Sequence, residues 1–164
     1  MKILGLDPGT VATGFGIVVF EQGRLTLECC GVWRPPAKMA LAAKLEFLSA
    51  AAFALMGEMA PAAVSVETVF AAKNIASALK LAHARGALLA AAARADLPVF
   101  EYEPRLVKKA IVGYGNAEKE QVRGMVLSLL ARQRSRIPLD AADALAVAIC
   151  HLHAPRTPGI HGAG

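Results

Sequence analysis

Four acidic residues stand out by where they fall. Asp7 closes the apolar run Ile3–Asp7, and Glu67 closes the run Ala63–Glu67. Asp140 and Asp143 lie three apart in Leu139-Asp-Ala-Ala-Asp-Ala-Leu, a spacing that sets both on one face of a helix. Singly, each has a simpler reading. An acid at a strand end often does no more than stop the strand at the solvent rim. Asp140 also suits a helix N-cap, and Asp143 a first-turn acid favoured by the helix dipole. Together they point to chemistry. The chain holds only 13 Asp+Glu, and three separate elements each present theirs at an element end. Carboxylates brought together repel, and burying them unpaired is costly. A hard divalent cation resolves the conflict, and an all-oxygen ligand set favours Mg²⁺ or Mn²⁺ over zinc. Two such ions about 4 Å apart would activate water and stabilise the leaving oxygen in phosphodiester cleavage.

The charge balance fits such a substrate. Net charge is +5, and the basic residues crowd the middle of the chain. From Thr68 to Arg136 there are 12 Lys/Arg against 5 Asp/Glu. A basic stretch in a chain of pI 9.4 suits a polyanionic partner such as a phosphate backbone, although a solvated basic face accounts for the same numbers. Of the 164 residues, 55% are apolar, but 34 are Ala, leaving an ordinary globular share of larger apolar side chains. The longest run without a charge, Pro8 to Phe20, is 13 residues, too short for a membrane span of ~20. The N-terminus lacks the order of a signal peptide. Three Cys without metal-ligand spacing are expected to stay reduced in a cytoplasmic protein.

The elements that must position the four acids follow from periodicity. Ile3 to Asp7, Phe15 to Phe20 and Leu25 to Trp33 read as three strands in succession, with Gln22-Gly23 at a hairpin turn. Leu41, Leu45, Leu48, Ala52, Leu55 and Met59 recur at helical spacing within Met39 to Met59, which Pro61 ends. A short strand from Ala63 to Glu67, a helix over 74–95, a strand from Leu97 to Tyr102 and a helix opening at Pro104 follow. Helices over 117–132 and 140–153 close the order β-β-β-α-β-α-β-α-α-α. That order predicts an α/β fold, a five-stranded mixed sheet with helices on both faces. A right-handed crossover sets the Ala63–Glu67 strand parallel to the first strand, so Asp7 and Glu67 emerge at one edge. Residues 1–154 are expected to form one domain, and 155–164 a disordered tail.

At this point the residues resemble a known family. Leu4-Gly5-Leu6-Asp7-Pro8-Gly9-Thr10 with Thr13-Gly14-Phe15-Gly16 is similar to the N-terminus of RuvC-type Holliday-junction resolvases. Glu67-Thr68-Val69-Phe70, Ala72-Lys73-Asn74, Ser77 to Leu81 and Ala84-Arg85-Gly86 resemble the family's central segment. Pro98 to Tyr102, Val107-Lys108, Val112-Gly113, Ala117 to Val122 and Asp140 to Ala146 continue the match in order to about residue 153. The resemblance implies a ribonuclease H-like three-layer fold. It implies a homodimeric crossover junction endodeoxyribonuclease that nicks two strands of like polarity symmetrically at a four-way DNA junction. It implies dependence on Mg²⁺ (two per subunit, with Mn²⁺ able to substitute) and work in DNA recombination and repair alongside the RuvA and RuvB branch-migration proteins. Asp7, Glu67, Asp140 and Asp143 fall on the family's catalytic acids, which are also its metal ligands. Lys108 and Lys119 fall on basic residues near the scissile phosphate, and Phe70 on an aromatic that meets bases near the junction centre.

The basic residues Lys73, Lys80 and Arg85, with Asn74, become candidate DNA contacts through the same resemblance; on spacing alone they are solvated. Phe70 follows Glu67 by three residues, where an aromatic can stack on an unpaired base or cap the sheet. The stripe Ile75, Leu79, Ala82, Gly86 and Leu89 suits either the core or a two-fold interface. His151 and His153 lack partners for a zinc site and read as surface residues at a helix end. A sugar-kinase or actin-like ATPase shares the Asp-x-Gly-Thr turn but needs two such domains. A DNA-binding module without catalysis has no need of four acids at one edge. A shorter nuclease or RNA-processing family of the same fold lacks the Asp140-x-x-Asp143 pair and the segment around Lys73-Asn74.

Overall fold

A computed structural model of the chain describes residues 1–68, 74–131 and 136–154. The expected tail, 155–164, lies outside the described residues. The meander forms as alternation predicts: β1 Lys2–Asp7, β2 Thr13–Glu21 and β3 Arg24–Trp33. Gln22 and Gly23 turn the hairpin with positive φ of 49° and 77°, the backbone hand that matches strand twist. Then come α1 Leu41–Met59, β4 Ala63–Glu67, α2 Ile75–Arg94, β5 Val99–Tyr102, α3 Pro104–Val112, α4 Lys119–Leu129 and α5 Leu139–His153. The five strands form one mixed sheet in the order β3-β2-β1-β4-β5. β1 pairs antiparallel with β2 and parallel with β4, and β4 runs parallel to β5. This is the five-stranded mixed sheet that the element order predicts, in the ribonuclease H-like arrangement that the resemblance implies.

Period-two alternation sorts the strand residues between two cores. Leu4 and Leu6 of β1, with Val64 and Val66 of β4, pack on one face with Leu48, Ala52 and Met56 of α1 and Ala84, Leu88, Ala91 and Ala92 of α2. Ile3 and Ala63 face the other layer, where α3, α4 and α5 meet. Helix α5 is buried nearly all round, as its run of Ala, Leu, Val and Ile demands. It also seats unusually close to the sheet. Gly5 and Gly16 are paired across β1 and β2. An added β-carbon on Gly5 would lie 2.0 Å from the Ala144 carbonyl oxygen, and one on Gly14 would lie 1.9 Å from that of Asp140. Only glycine leaves room for the helix at these places.

Readings left open are decided and one is corrected. The stripe on α2 divides: Ile75 is 80% and Leu79 55% exposed, Leu89 packs against the core, and the buried row is Ala84, Leu88, Ala91 and Ala92. Asp140 is not an N-cap. Pro138 takes that position without a side-chain cap bond, and Asp140 lies in the first turn. His151 is not a surface residue. It is half-buried under β5, with its Nδ1 2.7 Å from the Tyr102 hydroxyl and its ring 4.4 Å from that of Phe100. His153 is exposed as expected. No helix among the described residues is long and apolar enough to cross a membrane.

The glycine seat yields a stability test. Gly14→Ala meets backbone rather than a side chain that could rotate away, so its cost reaches ~3 kcal/mol or more, the top of the usual overpacking range. At ~2–4 °C per kcal/mol for a chain of this size, Tm falls by about 6–12 °C. Gly57→Ala, in a helix with open space at its β-carbon, is expected to stabilise the fold by ~0.5–1 kcal/mol and so to raise Tm slightly. Thermal unfolding by circular dichroism of both variants measures the contrast.

Candidate active site

Strand parity decides where the acids point. On β1, Ile3 faces the α5 layer and Leu4 and Leu6 face away, so Asp7, like Ile3, faces α5. On β4, Ala63 faces α5 and Val64 and Val66 face away, so Glu67 does too. Leu6 pairs with Val66 in register, which leaves Asp7 and Glu67 side by side one step further on. The end of β4 is pinned from outside. Glu67 pairs with Tyr102, and the Tyr102 carbonyl accepts hydrogen bonds from the Thr68 N–H at 2.9 Å and the Thr68 hydroxyl at 3.3 Å. The turn after Asp7 is pinned by Thr13, fully buried. Its hydroxyl donates to the Gly9 carbonyl at 2.7 Å and accepts from the Gly9 N–H at 3.2 Å.

Helix α5 brings the other pair. Gly14, against which the Asp140 backbone rests, is the strand partner of Asp7. The first turn of α5 therefore lies over the neighbour of Asp7, and Asp143 follows one turn on. The four carboxylates feel one another. Burial, then Glu67 and Asp143, and Asp140 beyond them, push the Asp7 carboxyl up to about 8 against the pull of Lys119. Burial and Asp143 raise Glu67, while Lys119, Lys108 and a hydrogen bond with Asp7 pull it back. Lys119 Nζ lies 2.5 Å from Asp143 Oδ2. Burial opposes the charge of its ammonium, but the bond to Asp143 and the fields of Asp7 and Asp140 prevail and raise it. A cavity of about 180 Å³ opens beside this group, lined by Glu67, Lys108, Lys119 and Asp143 with apolar walls from Val107, Val122 and Ala146.

The donor set is all oxygen, which fits a hard divalent cation and not zinc. Among the described residues no three carboxylates yet converge on one point tightly enough to grip an ion. Asp143 is held by Lys119, and burial with the neighbouring charges favours the neutral form of Asp7. A cation bound here would compete with Lys119 for Asp143 and with the proton for Asp7.

The remaining sequence candidates divide. Lys108 and Lys119 line the pocket. Asn74 caps α2, its side-chain oxygen accepting from the Ser77 N–H at 2.8 Å. Lys80 is exposed on α2. Arg85 departs from the expectation of a DNA contact: it forms an ion pair with Glu101 of β5, away from the acids. Phe70 and Lys73 lie outside the described residues. One residue near the acids had not been singled out. Arg34, just past β3, sets its guanidinium 3.6 Å from Asp140. It is far from every motif in sequence, and only the pairing of β3 with β2 brings it there.

The chain is matched over residues 3–151 by a family model described as crossover junction endodeoxyribonuclease RuvC. A protein of that name from Solidesulfovibrio magneticus is 48% identical over 161 residues, covering 98% of this chain and 95% of its own. Another from Syntrophomonas wolfei is 46% identical over 156 residues, covering 95% and 91%. Among solved structures, Thermus thermophilus RuvC aligns with a TM-score of 0.85 at 33% identity over 93% of each chain. The same protein in complex with a Holliday junction substrate aligns with a TM-score of 0.86 at 33% identity, again over 93% of each chain.

The crowding of charge predicts a pH effect. Asp7 titrates near 3.8 when unfolded and near 8 in the fold, so the folded chain binds the extra proton between those values. The contribution of Asp7 to stability is then largest below pH ~4 and is lost as pH rises toward ~8. In chelator, Tm of the wild type is expected to fall between pH 5 and pH 8 more than that of Asp7→Asn. Differential scanning fluorimetry at the two pH values reads the difference; equal slopes would refute the crowding.

Proposed function

The chain belongs to the RuvC family of crossover junction endodeoxyribonucleases, and from that premise we propose that it cuts four-way DNA junctions through the pocket formed by Asp7, Glu67, Asp140 and Asp143. The observation that carries this reading is that Glu67 and Asp143 line one cavity with Lys108 and Lys119, while Asp7, from a third segment, feels the charge of Glu67, Asp143 and Asp140. Asp7, Glu67, Asp140 and Asp143 would hold two Mg²⁺, with Mn²⁺ an acceptable substitute. When bound, such ions lower the pKa of a water and stabilise the leaving oxygen of a phosphodiester. Asp7 and Glu67, fixed at two neighbouring strand ends, provide the rigid half of the ligand set. Asp140 and Asp143 provide the half carried by α5. Lys119, exchanging Asp143 for a phosphate oxygen, offsets the negative charge that grows in the transition state. Lys108 adds the same sign from α3. The apolar walls of Val107, Val122 and Ala146 lower the dielectric on one side of these charges.

Residues 1–154 act in this reading as one nuclease domain. Phe70 stacks on a base near the junction centre, and Lys73, Asn74 and Lys80 hold phosphates beside it. The symmetry of the junction calls for two such sites, and the outward stripe of α2 supports a homodimer. Ile75 and Leu79 are exposed, and Gly86 has open space around it, so a second copy of the helix can approach closely. The dimer then nicks two strands of like polarity symmetrically, in the cytoplasm, in recombination and repair with RuvA and RuvB.

Cleavage of a labelled four-way junction, set against a linear duplex of the same sequence, tests the reading. Paired nicks are expected on the junction alone, with Mg²⁺ and not with chelator. Asp7→Asn is expected to lose at least ~10³-fold in rate, the order of a lost electrostatic stabiliser, while still binding the junction. Near-normal cleavage by that variant would dismiss the mechanism. The dimer has its own test. Leu79→Asp is expected to sediment as a monomer while keeping its Tm, because the residue is outside both cores.

A further inference from the structure

Lys108 and Lys119 stand on one bank of the acid pocket, carried by α3 and α4. On the other bank, at the β3 edge, stands Arg34. Its mount is stiff. Trp33 before it pairs with Thr13 and stacks on Phe15, ring centroids 4.4 Å apart and planes 20° from parallel. Pro35 after it is buried and restricts the Arg34 backbone to extended conformations. Thr13, which anchors Trp33, is the same residue that anchors the Gly9 turn beyond Asp7. The backbone at Arg34 is thus tied to the frame that holds the pocket, while its side chain is held only by the long pair with Asp140. That side chain is 58% exposed, the same as that of Lys119.

Its contact with Asp140 does little for the fold. At 3.6 Å and in solvent, such a pair is weak and readily exchanged. A phosphate oxygen can displace the carboxylate from the guanidinium with or without a bound cation, because the pair it replaces is weak. Arginine then offers a planar fork of donors that matches two phosphate oxygens, and little entropy is lost because the backbone beneath it is already fixed. We propose that Arg34 is a DNA-backbone contact of this site, gripping a phosphate on the bank opposite Lys119, so that the strand to be cut lies across the acids between two cationic walls. The inference rests on the nuclease reading above and names a substrate contact within it.

Fluorescence anisotropy of a labelled four-way junction in chelator separates binding from cleavage. Arg34→Ala is expected to raise Kd about 5–20-fold, the range for losing a charge-assisted contact. The slope of log Kd against log salt should fall by about one phosphate contact per chain. Arg34→Gln, which keeps most of the stem, must weaken binding equally. Arg34→Lys should recover to within about threefold, since a point charge still meets phosphate. Arg24→Ala, at the far end of β3, serves as the control and should bind as the wild type does. If Arg34→Ala binds within twofold with an unchanged slope while the wild type binds and cuts junctions, Arg34 is only a partner of Asp140 and the inference falls alone. If the wild type neither binds nor cuts junctions, the nuclease reading itself fails.

Discussion

Close seating of α5 on the sheet is the constraint on which the rest of the pocket depends. Aspartate has a short side chain, so carboxylates from a helix and from strand ends meet only if the two backbones nearly touch. Gly5, Gly14 and Gly16 supply the hollow, and the alanines of α5 supply the slim face that enters it. Gly14 is at once the strand partner of Asp7 and the floor beneath Asp140. A single glycine therefore sets the separation of two acids that are 133 positions apart in the chain. The apolar burial around α5 supplies the driving force, and the missing β-carbons turn that force into close approach.

The price is electrostatic. Asp7 is held as a neutral acid up to about pH 8, and Glu67 is raised beside it. Neither is a stable state for a carboxylate that needs only to end a strand. A lysine of α4 and an arginine just past β3 offset part of the repulsion, through Lys119 with Asp143 and Arg34 with Asp140. These pairs are the exchangeable kind, short in reach and open to solvent. Conflict of this sort between local charge and global fold concentrates at sites that serve chemistry. The same cations that quiet the acids are those to which the proposed function assigns phosphate.

Much of this was legible beforehand, for identifiable reasons. Strand and helix boundaries came within a few residues because alternation, Gly and Pro punctuation and β-branched runs all agreed with the final packing. The edge shared by Asp7 and Glu67 followed from the right-handed crossover. The α2 stripe was ambiguous because an apolar row on a helix reads alike whether it meets core or partner. In the fold the flanking row of Ala84, Leu88, Ala91 and Ala92 took the core instead. His151 was misjudged because its partners Tyr102 and Phe100 lie on an edge strand about 50 residues earlier, and nothing local announces them. Arg34 escaped notice for the same reason, as it belongs to no motif and owes its place to the Thr13–Trp33 pairing.

The residue string alone determined the element order, the mixed sheet and the identity of the four acids, because these are written in short-range periodicity and in motifs that keep their order along the chain. Tertiary structure alone decided how near the acids come, which of them holds a proton, and which cations face them. Those quantities depend on distances between segments that local pattern cannot encode. They were set when the glycine hollow accepted α5 and the strand register brought β3 to the rim.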